Sequence, residues 1–474
     1  MSIVLGYAIT VGYVLLLIYL VGPVILKLSN LETSRKVIHT MLFMVWVFIN
    51  RFFRGTVHQV LIPVLFLILN TLSYRFHLYR TVEREDNSSM GTIYFAIAIG
   101  IIMTISYIFP ETHFATGIAS FCLTLGDGFA GIVGYNLPSP KIRNKKSLAG
   151  YLANITACII GLLIFNAAYS LKLGFAAIIV ISGLSGISEL VDHGLDNFSV
   201  TFLTFIAGYM ALEHYPGILS SLAAAELVFH IVFFSKAISY YGSLLSMLIV
   251  VVFGLNGTAC LLYLLGCYFT IFAIAALKKV LLKKEKSETR NIKQIFINGG
   301  LAMLCLLVNL FYPSKVLLIT GLINIAGNFV DSVSSDVGTM AKGKPYDFIH
   351  RKQVETGLSG GVSLLGTTAA LMASIGTAAS ISRICHMTAA GSLVCFVIIF
   401  LQTIIDTILG SLFQVKYFCK VHNHITEKKE CGGMNTVYKS GIKWIDNNMV
   451  NLISTCIITA ISLICFGAAY VRLF

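Results

Sequence analysis

An all-α, polytopic membrane protein of about sixteen helical spans is the fold that the sequence predicts, and three observations predict it. Of the 474 residues, 57% are hydrophobic and the mean hydropathy is +0.85, which excludes a soluble globular chain. Apolar runs long enough to cross the ~30 Å hydrocarbon core recur along the whole length, with short polar connections between them. The basic residues gather in alternate connections: 28–36, 74–90, 135–148, 192–198, 235–239, 282–293, 334–358 and 412–447. With flanking Lys27, Lys278 and Lys279, these hold all of the 34 Lys and Arg except Arg51, Arg54, Lys172, Lys315, Arg383 and Arg472. By the positive-inside rule those connections are cytoplasmic and both termini lie outside.

Read in order, the first span, Ile3 to Leu26, has no basic leader and is expected to be a retained helix. The second opens on Arg35, Lys36 and His39, and the spacing puts Arg35 and His39 on one helix face. Membrane anchoring accounts for the two cations but not for the histidine. Arg84, Glu85 and Ser89 precede the span that begins at Gly91. Gly126 to Asn154 is the richest segment: Asp127 between Gly126 and Gly128, then Lys141, Arg143, Lys145 and Lys146, then Ser147 at a helix start. A carboxylate at membrane depth is costly and usually functional. It suits Mg²⁺ bridging phosphates, while the lysines and the free amides at Ser147 suit the phosphates themselves. Glu189, Asp196 and Asn197 border a connection with acids and no Lys or Arg. A second Mg²⁺ ligand, a general base or a plain helix cap all fit that pattern.

The second half carries Asn328, Asp331 and Asp336 in one span, then Lys344, then a Gly/Ser run through Gly360, Gly361 and Ser363. Asp331 and Asp336 are five apart and would not share a face of a regular helix. The Gly/Ser run fits either phosphate wrapping or close helix packing. Asp406 lies inside a later span, and Asn447 and Asn451 open the last one. Cys419, His422, His424 and Cys431 have zinc-ligand chemistry without a known zinc spacing. The other Cys are scattered and read as small apolar residues. The net charge of +13 sits in short juxtamembrane connections, which favours anionic lipid heads and phosphate ligands rather than nucleic acid.

The ordered series RKVIH, SSMGTIYF, GDGFAGIVG…KKSLAG and SELVDHGLDN, over residues 31–210, resembles the polyprenol kinase family. That resemblance implies phosphoryl transfer, typically from CTP, to an isoprenoid alcohol. It further implies a nucleotide site at Asp127, Lys145, Lys146 and Ser147 and roles for Arg35, His39, Glu189, Asp196 and Asn197. The order RNIKQIFINGG, NFVDSVSSDVG, KGKP, ETGLSGGVSLLGT, DTILGSLFQ and WIDNNMVN, over residues 240–470, looks like the phytyl-phosphate kinase family. It implies a second site at Asn298, Asn328, Asp331, Asp336, Lys344, Gly360, Gly361, Ser363, Asp406, Asn447 and Asn451.

The expectation is therefore a fusion of two unlike halves without self-similarity, residues 1–235 and 236–474. It would be a Mg²⁺- and CTP-dependent enzyme that converts a membrane-dissolved prenol to the monophosphate and then the diphosphate. Asp127 with Glu189, and Asp331 with Asp336, would hold the metal. His39 or Asp196 would accept the alcohol proton. The expected setting is a prokaryotic cytoplasmic membrane. A CDP-lipid-forming cytidylyltransferase and a prenyl-phosphate carrier are the alternatives.

Overall fold

The computed structural model describes residues 3–76, 90–144, 146–191, 195–282, 289–431 and 433–468. Among them, twelve helices are long and apolar enough to cross a membrane, and Phe175–Glu189 and Tyr240–Leu255 are shorter apolar helices. The chain forms two compact units, Met1–Leu219 and Ser220–Phe474.

The first unit contains α1 (Ile3–Leu28), α2 (Leu31–Met41), α3 (Phe43–Phe52), α4 (His58–Phe76), α5 (Gly91–Ile108), α6 (Pro110–Asn136), α7 (Leu148–Tyr169), α8 (Phe175–Glu189) and α9 (Asp196–Leu212). Asn30 caps α2 by accepting from Thr33 N at 2.8 Å, and Ser147 caps α7 through Gly150 N at 3.2 Å. α6 is the centre of the unit: 67% of its apolar window is buried, against 22–39% in the unit's other long helices. A helix enclosed by protein has no lipid-facing stripe and can carry polar groups that find partners on its neighbours.

The second unit contains α10 (Pro216–Phe234), α11 (Tyr240–Leu255), α12 (Thr258–Leu282), α13 (Ile292–Phe311), α14 (Lys315–Gly338), α15 (Leu364–Cys385), α16 (Ala389–Leu412) and α17 (Asn447–Ala468). The division falls inside α10, earlier than the join near residue 235 that composition suggests. Phe229 and Phe233 meet Tyr240 edge-on, with ring centroids 6.0 and 5.8 Å apart, so most of α10 packs with α11. The enclosed helix is α14, with 72% of its window buried.

The two units are not unlike. α7 packs on α6 and α8, and α9 packs on α5, α6 and α8; α15 packs on α14 and α16, and α17 on α13, α14 and α16. Asp127 precedes Gly134 by seven positions, as Asp331 precedes Gly338. A Cβ on Gly134 would stand 3.3 Å from Gly150 Cα, and one on Gly338 3.5 Å from Gly366 Cα. Ser147 and Ser363 each cap the next helix by accepting from Gly150 N and Gly366 N, both at 3.2 Å. Both capped helices are 22 residues long and end on a left-handed residue, Ser170 and His386. The two units thus share a local pattern of glycine crossing and serine cap that a scan of the sequence does not show. A few close-packing residues carry it, and connections of unequal length separate them.

The fold also departs from the all-α expectation in its connections. β1 (Lys141–Arg143) pairs with β2 (Lys146–Ser147), and β3 (Tyr346–Asp347) with β4 (Lys352–Gln353). Between α16 and α17, β5 (Lys416–Cys419), β6 (His424–Thr426) and β9 (Val437–Ser440) form a sheet in the order β6-β5-β9. β7 (Glu430–Cys431) pairs with β8 (Met434–Asn435). The hydropathy signal finds spans and is silent about polar connections, where short strand pairs satisfy the backbone.

Buried Asp347 ties one such connection to the end of α16. It accepts from Ile349 N (3.0 Å), His350 N (3.1 Å), His350 Nδ1 (2.9 Å) and Ser411 Oγ (2.8 Å). Burial pushes its carboxyl up, but the hydrogen bonds from His350 and Ser411 outweigh this and hold it down at about 2. A lowered folded-state value stabilises the fold above the ordinary Asp value of about 3.9, and the gain is lost as pH falls toward 2. Asp347→Asn should therefore cost about 1–2 kcal/mol near neutral pH. Hydrogen exchange at the Ile349 and His350 amides should quicken accordingly. The gap from wild type should close between about pH 4 and pH 2; equal exchange at neutral pH would remove Asp347 as the anchor.

Candidate functional site

Within the first unit, α6 turns π-helical over Cys122–Gly126, immediately before Asp127. Such a turn re-aims the side chains that follow and is frequent at functional sites. Asp127 is 7% exposed. Lys36 of α2 approaches it, with Nζ 2.6 Å from Oδ1, and His39 Nε2 lies 3.2 Å from Oδ2. The Lys36 stem crosses α6 at Gly131, where a Cβ would stand 2.5 Å from Lys36 Cε. His39 Nε2 is also 3.2 Å from Leu123 O. Two acceptors face that nitrogen, which assigns it the proton and leaves Nδ1 as the basic atom.

A second cation closes the other side. Lys146, on β2, bonds Glu189 at the end of α8 and lies 3.1 Å from Asp196 Oδ2 at the start of α9. Burial alone would lower the Lys146 ammonium; the carboxylates of Glu189, Asp196 and Asp127 outweigh it and hold it above its ordinary value. One carboxylate oxygen each from Asp127, Glu189 and Asp196 lie within 4.8 Å of one another. Glu189 Oε2 is buried and has no hydrogen-bond partner among the described residues. Three hard oxygen donors with one unsatisfied atom fit a small divalent cation such as Mg²⁺.

A cavity of about 1470 Å³ holds this cluster and extends into apolar surroundings. Arg35, Lys36, Asp127, Lys146, Glu189 and Asp196 line its polar part, and Trp46, Ile49, Ile62, Phe66, Ile99 and Met103 its apolar part. Gly91, Phe95, Ile99 and Met103 follow one another along a single face of α5. They mark a depth of roughly 18 Å at the helical rise. The shape suits an amphiphile with a polar head and a long apolar tail.

Arg35, a candidate from its place on the helix face of His39, pairs with Glu32 one turn earlier, although it still lines the cavity. Lys36, read as an anchor, is the cation that meets Asp127. Gly126 and Gly128 serve packing: a Cβ on Gly126 would stand 2.7 Å from Cys158 Sγ, and one on Gly128 would overlap Thr40. At Ser147 the helix start is not open. Leu148 N donates to Pro140 O and Ala149 N to Ser139 Oγ, both at 2.9 Å, and Gly150 N to Ser147. Asn197 donates to Gly91 O at 3.3 Å, which ties α9 to α5. Lys145, Arg84, Glu85 and Ser89 lie outside the described residues.

In the second unit, Asp331 lies on α14 within electrostatic reach of Asp406 on α16 and of Asp336. Asp406 Oδ2 accepts from Ser454 at 3.2 Å, and from the Asn451 amide, oriented to donate, at 3.1 Å. That amide also reaches Asn447 O at 3.0 Å. Asn328 accepts from Thr455 at 3.3 Å. Asp336 is held by Lys278 at 2.7 Å, and α14 is continuous, so Asp331 and Asp336 point along different faces. Lys344 forms an exposed pair with Glu355 at 2.9 Å. Gly360 has φ +86°, and a Cβ there would stand 2.6 Å from Ser411 Cβ. Gly361 is hemmed in by Val354, and Ser363 caps α15. The run from Gly360 to Ser363 therefore has a structural duty whatever else it does. Nothing in the spacing of Asp347, His350 and Ser411 announces that the fold joins them.

The model of the family described as integral membrane protein DUF92 matches residues 221–459, half of the chain. The chain belongs to this integral membrane family. Two further proteins are similar to it. Protein PGR of Arabidopsis thaliana is 26% identical over 202 residues, 37% of this chain and 69% of that protein. A phytol kinase of Synechocystis sp. is 27% identical over 182 residues, 37% of this chain and 73% of that protein. No solved structure matches this DUF92 member.

Removing one partner of a buried ion pair strands the other. Lys36→Met should lower stability by about 3 kcal/mol, and Arg35→Met by about 1 kcal/mol or less. Thermal unfolding in detergent would compare them. In a double-mutant cycle, Asp127→Asn should offset much of the Lys36→Met loss. Additive losses would show that the two side chains do not depend on each other.

Proposed function

We propose that this protein is a prenol kinase whose first unit phosphorylates the hydroxyl of a membrane-dissolved isoprenoid alcohol, and whose second unit extends the monophosphate to the diphosphate. The observation that carries the reading is one continuous cavity of the first unit, which joins a carboxylate and lysine head to an apolar shaft. The similarity to a phytol kinase supports the same class of reaction, and the motifs favour CTP as donor. The basic connections would face the cytoplasm, where the nucleotide is.

Phosphoryl transfer requires charge neutralisation and alignment more than covalent help from the protein. Asp127, Glu189 and Asp196 would hold Mg²⁺, which when bound would neutralise charge on the nucleotide phosphates. Lys36 and Lys146, released in part from those carboxylates, would bind the phosphate oxygens. His39 Nδ1 would accept the alcohol proton as the prenol oxygen attacks the γ-phosphorus, the O–P bond to the departing nucleoside diphosphate breaks, and the prenyl monophosphate forms. The apolar face of α5 would hold the tail.

In the second unit the attacking group is already a phosphate oxygen and needs no strong base. Asp331 precedes the crossing glycine Gly338 by seven residues, as Asp127 precedes Gly134, and would take the corresponding part. Asp406, on α16, would be its companion for metal, as Glu189 on α8 would be for Asp127. This pairing replaces Asp331 with Asp336, whose carboxylate is engaged by Lys278.

The test incubates purified protein in detergent with geranylgeraniol, CTP and Mg²⁺ and reads the lipids by mass spectrometry. Wild type should yield diphosphate, Asp331→Ala should stall at monophosphate, and Asp127→Ala should lose on the order of 10²–10³-fold in the first step. No phosphorylated lipid across several prenols and nucleotides would sink the kinase reading. A lipid product carrying cytidylate would turn it into cytidylyl transfer. Met103 is fully buried on the cavity wall. Met103→Trp should therefore shift preference from geranylgeraniol toward geraniol; unchanged preference would place the tail elsewhere.

A further inference from the structure

The connection between α16 and α17 brings together residues that the phosphoryl chemistry does not use. Cys419 ends β5 and His424 opens β6, and the two are directly opposed in register, so their side chains rise from one face of the sheet. Between them the chain reverses, with Asn423 at φ +51°, and carries His422. Cys431 comes from β7. Cys419 Sγ lies 3.5 Å and Cys431 Sγ 3.3 Å from the same atom, His422 Nδ1. One ligand atom from each of the three residues lies within 4.8 Å of the others.

Hydrogen bonding accounts for only part of that convergence: the two thiols also bond each other, yet both crowd one ring nitrogen. An imidazole nitrogen carries one proton or one lone pair, so it can answer only one of the two thiols. A cation between the three atoms would answer all of them. In a tetrahedral zinc site, with Zn–S of about 2.3 Å and Zn–N of about 2.0 Å, neighbouring ligand atoms stand roughly 3.5–3.8 Å apart. The sulfur–nitrogen separations are already close to that.

We propose that Cys419, His422 and Cys431 bind a zinc ion, with His424 supplying the fourth ligand from the same sheet face. On binding, each thiol releases its proton to solvent and forms a Zn–S bond, and the neutral imidazoles donate lone pairs; two thiolates balance the charge of the ion. Zinc is the ion that a mixed thiolate and imidazole set selects. The role is a clamp. The strands here are two to four residues long and cannot bury much of a core. Glu427, between His424 and Cys431, accepts from Ser359 N at 2.6 Å. The ion would hold that carboxylate against the turn containing Gly360. The inference stands apart from the kinase reading.

The test uses the full-length protein in detergent, dialysed against zinc and then freed of loose metal. Elemental analysis should find about one zinc per chain in wild type and in Cys456→Ser. It should find little in Cys419→Ser or Cys431→Ser, and several-fold weaker retention in His424→Ala. Cobalt in place of zinc should give a thiolate-to-metal absorption band that both cysteine variants lose. Chelation should speed tryptic cleavage at Lys428 and Lys429 several-fold, and zinc should restore the resistance. No zinc in wild type, zinc kept by both cysteine variants, or a Cys419–Cys431 disulfide in the purified protein would each overturn the proposal.

Discussion

A carboxylate carried into a membrane helix has to be met by positive charge, and in the first unit Lys36 meets Asp127 at 2.6 Å. An uncompensated Asp near mid-helix costs about 2.5–3.5 kcal/mol even on the mildest scale. Much of the surrounding architecture follows from removing that cost. α6 is enclosed, so its Asp is approached by protein and not by lipid. Gly131 is open, so the lysine stem can cross the helix. The π-turn over Cys122–Gly126 sets the angle at which Asp127 leaves the helix. With Asp127 held by α2, Lys146 is left to gather Glu189 and Asp196. The β1–β2 connection and the facing ends of α8 and α9 are thereby drawn around one point. The atoms that remove that cost are the same ones that the proposed function would use to hold a cation.

The second unit meets the same constraint with fewer cations. Asp406 is answered by a hydroxyl and an amide, Ser454 and Asn451, and Asp336 by Lys278. What the units share is the backbone beneath: a buried helix, a glycine pair at its crossing, and a serine-capped helix of equal length. Glycines at a crossing let two backbones approach, which fixes where the helices diverge and where a polar head can sit between them. The polar residues are then free to differ. Asp127 and Asp331 each precede a crossing glycine by seven residues, although their neighbours share almost nothing.

This explains which parts of the molecule were legible in its sequence. Spans announce themselves locally through hydropathy, and Asp127, Asp331 and Asp406 stand out because charge inside an apolar run is rare. Their partners are set by tertiary packing. Arg35 and Lys36 are adjacent and chemically alike, and only the crossing of α2 over Gly131 decides which one reaches Asp127. Asp347, His350 and Ser411 meet across 64 residues. The glycine pairs carry no signal of their own among many small residues, and the connections between them differ in length, which hides the shared pattern from a search at fixed period. The strands went unforeseen because they are too short to show alternation.

The contrast in charge between the units bears on the order of the proposed reactions. A neutral alcohol brings no charge to its site, so lysines already bound to carboxylates would be free to turn to the nucleotide, and a histidine beside Asp127 would suit removal of a proton. A monophosphate acceptor brings its own negative charge, and repulsion from the donor becomes the main obstacle. Around Asp331 and Asp406 the carboxylates outnumber the nearby described cations. The second site would therefore lean on bound metal more heavily than the first. Its carboxylates would be the metal's holders rather than bases, which agrees with the absence of a histidine among the described contacts of Asp406.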